Sequence, residues 1–169
     1  MAEFVTVKPE DFNVSPFRLI GEEWMLIAAE KDGRVNAMTA SWGGLGVMWR
    51  MNVAFVVIRP QRFTKEFVDA ADAFSLNFFD GSYRDKLNYF GSVSGREEDK
   101  VAKCGFGVAR AGGAPYFEQA RTVITLRKLF AQPYRKESFI DPAPDRDCYP
   151  AGDYHTLYIG EVTGIMRKK

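Results

Sequence analysis

The sequence predicts a mainly β protein, an antiparallel barrel decorated by inserted helices rather than a doubly wound sheet. Three observations carry that prediction. About six strand-like runs are separated by only two or three helical ones, and the helices do not alternate with the strands as parallel crossovers require. Asp32-Gly33 stands between two strand-like runs, a hairpin signal. Fourteen Phe and seven Tyr are on the high side, and aromatic side chains favour strands and the walls of flat-ligand pockets.

Trp24 to Ala29 is a short apolar run bounded by Gly21-Glu22-Glu23 and Lys31-Asp32-Gly33, and Val35 to Trp42 is its return strand. Val53 to Ile58 is continuously apolar, which predicts a central strand covered on both faces. Thr64 to Ala71 has Phe67, Val68 and Ala71 at helical spacing, with Thr64 placed to cap the first turn. Ala73 to Phe79 is the next strand. Tyr83 to Phe90 and Glu97 to Cys104 read as two short helices joined by Gly91 to Gly95, with Glu97, Glu98 and Asp99 as an acidic first turn that complements the helix dipole. The glycine-rich stretch from Gly105 to Pro115 reads as a loose connection, Ala120 to Gln132 as a long strand, and Asp141 to Asp145 as a loop because of its prolines. Tyr154 to Met166 alternates and closes the fold, leaving Arg167-Lys168-Lys169 as a frayed, solvated end.

At 169 residues the chain fits one domain, taken here as 1–169, and is long enough to bury a core without staples. A formal net charge of +1 gives no electrostatic footprint for nucleic acid. No apolar run approaches the ~20 residues that span a bilayer, so no membrane insertion is expected. Cys104 and Cys148 are far apart and nothing before Glu3 reads as an export signal, so a reduced, cytoplasmic protein is expected. No metal site is expected, since one His and two distant Cys lack ligand spacing. The sequence has no GxGxxG opening a helix after a strand, no GxSxG elbow and no HExxH helix, which disfavours a dedicated dinucleotide fold and hydrolysis.

The chemistry concentrates in two neighbouring stretches, Asn36-Ala37-Met38-Thr39-Ala40-Ser41-Trp42-Gly43-Gly44 and Arg59-Pro60-Gln61-Arg62-Phe63-Thr64. Thr39 and Ser41 bring hydroxyls, Ala40 lets a ligand approach the backbone, and Arg59 and Arg62 bring two guanidinium groups. A phosphomonoester carries about −1.5 to −2 charges near neutral pH, so two arginines would nearly neutralise it. The combination suits a phosphate attached to a flat aromatic ring, a flavin. Taken singly, Thr39-Ala40-Ser41 is also a strand running into a Gly-Gly turn, and Arg62 and Thr64 are also a solvated cation and a plain cap. Trp42, Trp49 and Phe79 suit either a ring shield or the core. His155, the only histidine, shares strand parity with Leu157 and Ile159, where a satisfied core imidazole is the ordinary finding. Cys104 reads as an inert thiol.

Four segments in order, NAMTASWGGLGVMW, RPQRFT, SGREEDK (Ser94 to Lys100) and DYHTLYIGEV (Asp153 to Val162), resemble the flavin reductase-like, FMN-binding split-barrel proteins of the flavoredoxin type. The resemblance covers roughly Glu23 to Val162. It implies a Greek-key split barrel that binds FMN and forms a homodimer, with the flavin near the subunit interface. Carried onto this chain, it implies a cofactor site of Asn36, Met38, Thr39, Ala40, Ser41, Trp42, Arg59, Gln61, Arg62, Thr64, Ser92, Ser94, Gly95 and Lys100. It also implies an orienting or proton-supplying catalytic role for His155. The expected activity is oxidoreduction through FMN, with NAD(P)H or a redox protein as donor. An electron carrier or flavin-binding module without NAD(P)H activity is the alternative. Trp49-Arg50-Met51-Asn52-Val53 departs from the Asn-Lys-Pro-like step of many relatives, which leaves the acceptor open.

Overall fold

The computed structural model describes residues 3–169; the expectation that nothing before Glu3 is an export signal falls on residues outside them. Ten strands and four α-helices follow in the order β1 (Phe4–Val7), β2 (Met25–Lys31), β3 (Arg34–Ala40), β4 (Gly43–Met48), β5 (Met51–Ile58), α1 (Thr64–Ala70), β6 (Ala73–Phe78), α2 (Arg84–Ser92), α3 (Lys100–Lys103), β7 (Val108–Ala111), β8 (Ala114–Phe117), β9 (Thr122–Pro133), α4 (Pro142–Cys148) and β10 (Thr156–Lys168). The main sheet runs β3-β2-β6-β9-β10-β5-β4, with β1 on the far half of β10, and its pairings are antiparallel. The mainly β expectation holds. The sheet is not closed, because β3 and β4, joined only by Ser41-Trp42, form its two ends and do not pair.

Strand periodicity divides the core in two. On β2, Met25, Ile27 and Ala29 face the cluster built around Phe74, Phe78, Leu126 and Tyr158, while Leu26 and Ala28 face a second cluster under α2 and α3. That second cluster is a stack of rings, Phe79, Phe90, Phe106 and Phe117, with centroids 5.2 Å apart for Phe106–Phe117 and 5.3 Å for Phe79–Phe106. Each such ring, fully buried, contributes about 1.5–3 kcal/mol.

Several expectations are corrected. β5 is one strand in from the edge rather than central, and its outer face is incompletely covered, with Phe55 37% exposed. β4 escaped the sequence reading because glycines are weak strand formers. Gly44 makes room for an aromatic neighbour: a Cβ would lie 2.4 Å from the ring of Phe55, which packs over it and would have to move aside. The stretch after Gly105 is not a loose connection but the β7–β8 hairpin, turned by Gly112 and Gly113, both at positive φ (56° and 78°). The proline loop is the helix α4: Pro142 occupies its first turn, where no amide is needed, and the Asp141 carboxylate accepts from the Ala143 amide at 2.9 Å. Thr64 does not cap α1; its hydroxyl instead accepts from the Asn36 side chain at 2.8 Å. The helix expected from Glu97 begins only at Lys100, with Asp99 as its cap accepting from the Ala102 amide. The C-terminal end is not frayed: Lys168 pairs with Phe4, and the Lys169 amide donates to the Glu3 carbonyl at 3.0 Å.

Candidate functional site

The site lies at the open seam of the sheet. β3 is an end strand paired only to β2, so the backbone groups on its other side are not used in the ladder. β5 ends at Ile58, and Arg59 to Arg62 turn tightly into α1, with the Arg62 amide donating to the Arg59 carbonyl at 3.1 Å. Two adjoining clefts of about 310 Å³ and 190 Å³ open here and share Met38 and Arg62. The larger is lined by Met38 to Trp42, Val57, Arg59, Arg62 and His155. The smaller is lined by Asn36, Met38, Gln61 to Thr64, Ser92 to Gly95 and Lys100. Thr39 and Arg62 thus share one cleft. The cofactor-site residues named from the resemblance, and His155, all line one or both of these spaces; the ring-shield candidates Trp49 and Phe79 do not.

The inner end is cationic. The Arg62 guanidinium donates to the Gly91 carbonyl at 2.6 Å and to the Phe90 carbonyl at 3.4 Å, and the Lys100 ammonium donates to the same Phe90 carbonyl at 2.9 Å. These carbonyls belong to the last turn of α2, the end of a helix that favours cations. Among the described residues neither cation forms an ion pair; the nearby Glu98 carboxylate is taken by Lys103. Lys100 is 3% exposed, and burial together with the Arg62 charge pushes its ammonium down to about 8. Burial also lowers Arg62. Two desolvated like charges with no carboxylate between them are unfavourable unless an anion joins them.

The rest of that end is built for close approach. A Cβ on Gly95 would lie 2.2 Å from Asn36 Oδ1, so only glycine lets the loop pass over the Asn36–Thr64 pair. Arg34 donates to the Gly95 carbonyl at 2.7 Å and holds the loop down. Ser92 and Ser94 spend their hydroxyls locally, Ser92 on the Asn88 carbonyl and Ser94 as acceptor from the Arg96 amide. Thr39 donates to the Leu87 carbonyl at 2.5 Å, which ties β3 to α2.

The outer end is different. Arg59, read from the sequence as the companion of Arg62, has its own carboxylate: it meets Asp153 at 2.5 Å and donates to the Cys148 carbonyl at 2.9 Å. Gln61 also donates to Asp153, at 2.8 Å, and these two donors hold that carboxyl below its usual range. The guanidinium lies 5.2 Å from the centre of the Tyr149 ring. His155 sits just ahead of β10, 8% exposed, its ring centre 5.1 Å from that of Trp42. Burial, then the neighbouring Arg59 charge, pushes its pKa down to about 4, so the imidazole is neutral near pH 7. Its Nδ1 is 2.7 Å from the Tyr149 hydroxyl.

Trp49 and Phe79 lie elsewhere. Trp49 turns the β4–β5 hairpin with Arg50, both at positive φ (52° and 61°), and Phe79 belongs to the ring stack under α2. The Cys104 thiol is raised by burial, in keeping with an inert group. Sequence reasoning passed over Tyr149, Arg34, Phe63 and the pairing role of Asp153. Only Asp153 carried a signal, standing two residues before the sole histidine. Among the described residues no group of three or more His, Cys, Asp or Glu is placed to hold a metal ion, and no helix is long and apolar enough to cross a membrane.

Residues 17–169 match the family described as the flavin reductase like domain. A protein of Aeropyrum pernix described only as uncharacterized is 26% identical over 144 residues, covering 83% of this chain and 48% of that protein. The chain therefore spans about half the length of that curated relative. Among solved structures, the FMN-binding protein from Thermus thermophilus with bound p-hydroxybenzaldehyde superposes with a TM-score of 0.68 at 24% identity, covering 96% of this chain and 78% of that one. Flavoredoxin from Methanosarcina acetivorans gives 0.70 at 20% identity (99% and 77% covered), and flavoredoxin of Desulfovibrio vulgaris (Miyazaki F) gives 0.67 at 21% (86% and 69%). At these identities the likeness is one of fold.

Proposed function

The chain belongs to the flavin reductase-like family, and on that premise we propose that it is an FMN-binding oxidoreductase whose two joined clefts hold the flavin. The observation that carries this reading is the Arg62–Lys100 pair, a half-buried and a buried cation without a carboxylate at one end of a cleft whose other end holds an indole and a neutral imidazole. That donor set fits a phosphomonoester. The free edge of β3, with Thr39, Ala40, Ser41 and Trp42, supplies backbone donors for the polar rim of a flat ring, and Met38 and Val57 line its apolar surroundings. Asn36, Thr64, Ser92, Ser94 and Gly95 shape the phosphate end, with Gln61 at its entrance. The names of the structural relatives, FMN-binding protein and flavoredoxin, agree with this cofactor.

Bound FMN would supply the hydride- and electron-accepting chemistry. The protein's part is to neutralise the phosphate, present hydrogen-bond donors to the ring edge and keep water from its apolar face. His155, neutral near pH 7, acts as a hydrogen-bonding and orienting group rather than as a store of protons.

The outer face of β4, β5, β10 and β9 is assigned to a second copy. Phe55 lies opposite Gly44 and Ile159, Ile159 lies opposite Phe130, and the Trp49 ring lies 6.1 Å from Phe130. The stripe reaches Val57 and so abuts the cleft. Its exposed members, Trp49 at 51% and Phe55 at 37%, are those a homodimer would cover. The split-barrel reading belongs here too, with the seam between β3 and β4 as the split. Two free cysteines, Cys104 and Cys148, fit a reducing, cytoplasmic setting.

The test is a visible spectrum of the purified protein with FMN, then anaerobic mixing with NADH and NADPH. Flavin absorption that bleaches within a turnover marks a reductase, and bound flavin that does not bleach marks a flavoredoxin-like carrier. Protein that takes up no FMN overturns the reading.

A further inference from the structure

His155 is anchored on three sides. Its carbonyl accepts from the Tyr134 amide at 2.8 Å, its ring packs on Trp42, and its Nδ1 meets the Tyr149 hydroxyl. Tyr149 is itself fixed. It is 5% exposed, its ring packs against Tyr154 (5.0 Å between centres) and Phe139 (5.7 Å), and the Arg59 guanidinium, held by Asp153, lies over it. The phenol oxygen has no partner but Nδ1 among the described residues.

That isolation decides the direction of the bond. Were Nδ1–H the donor, the buried phenol proton would have no acceptor, an omission that costs about 1–3 kcal/mol. With the phenol donating, both groups are satisfied and the imidazole proton sits on Nε2. We propose that Tyr149 is a positioning residue: its hydroxyl donates to Nδ1 of His155 and fixes the imidazole in the tautomer that presents Nε2–H to the cleft as a donor. A ligand oxygen above the ring site is then the group His155 recognises, and under the flavin reading, on which this last step rests, the carboxamide of a reduced nicotinamide has that chemistry. The groups facing the imidazole are Arg59 and Asp153 as charged neighbours, Tyr149 at Nδ1 and Trp42 just past β3.

His155 is the chain's only histidine, so protein labelled with ¹⁵N at histidine reports on one imidazole. A long-range ¹H–¹⁵N spectrum of the flavin-free protein at pH 7 is expected to show an unprotonated Nδ1 and a protonated Nε2. Tyr149→Phe keeps the ring stacked and removes only the hydroxyl. It is expected to mix the two tautomers and to raise the imidazole midpoint, because a bond that favoured the neutral form is gone. In flavin-loaded protein the same variant lowers kcat/KM for reduced nicotinamide about tenfold with FMN affinity unchanged. A wild-type spectrum with the proton on Nδ1, or a Tyr149→Phe spectrum with the wild-type tautomer and midpoint, overturns the proposal. The wild-type spectrum needs no variant to fold, and because it needs no flavin, a failure of FMN binding overturns the cofactor reading alone.

Discussion

Arg59 and Arg62 stand three positions apart on one turn and look equivalent in the sequence, yet the fold gives them opposite circumstances. Arg59 meets Asp153 and Gln61 braces the same carboxylate, so its charge is matched within the protein. Arg62 rests on backbone carbonyls beside Lys100 and has no ion-pair partner among the described residues. What separates a structural cation from a ligand-binding one is where its counter-charge lies. The outer arginine clamps the segment carrying Tyr149 and His155 to the β5–α1 turn; under the flavin reading the inner one would meet the phosphate.

Arg62→Ala breaks this comparison most severely. Charge-assisted hydrogen bonds are worth about 1.5–3 kcal/mol, so FMN affinity should fall roughly 10- to 150-fold by titration of flavin fluorescence, with little change for riboflavin. Gly95→Ala comes next. The new Cβ meets Asn36 and Phe63, and without room to give, the loop must shift at a cost of about 1–3 kcal/mol, read as a lower midpoint in urea.

The Lys100 charge sharpens the comparison through pH. Its folded value is held near 8 against an ordinary 10.5, so the flavin-free protein loses stability as pH falls from about 10.5 to about 8, where the unfolded lysine takes up a proton and the buried one does not. FMN affinity has the opposite sign, falling as pH rises above about 8 and the ammonium is lost, by at most about tenfold per pH unit. Denaturant midpoints and FMN titrations between pH 6 and 10, with Lys100→Met as the flat control, check both trends. Arg59→Gln has the smallest effect. Partly exposed ion pairs contribute about 0–1 kcal/mol, so FMN affinity should change by no more than about fivefold while hydrogen exchange quickens around Tyr149 to Asp153.

Much of this was legible in the sequence where a local pattern had a local cause. The Asp32-Gly33 turn, the apolar run of β5 and the helical spacing of Phe67 and Val68 each announced their element. β4 and the β7–β8 hairpin did not, because their glycines are explained only by distant partners, Phe55 lying over Gly44 and the turn at Gly112-Gly113. α4 was hidden by prolines that occupy its first turn rather than breaking it. Most lining residues of the site were readable in the four matching segments, but their division of labour was not. Asp153 lies 94 residues from Arg59, and nothing in the local pattern of either says that they meet. Tyr149 was silent for the same reason: it follows α4, and Arg59, just past the distant strand β5, lies over its ring.

The most direct test of the account compares FMN with riboflavin, which lacks only the phosphate. Titrated against wild-type protein at pH 7, FMN should bind roughly 100-fold more tightly, and the gap should shrink to within about threefold in the double variant Arg62→Ala, Lys100→Met. Equal affinity for the two ligands in wild-type protein, or a gap that survives the loss of both cations, contradicts it.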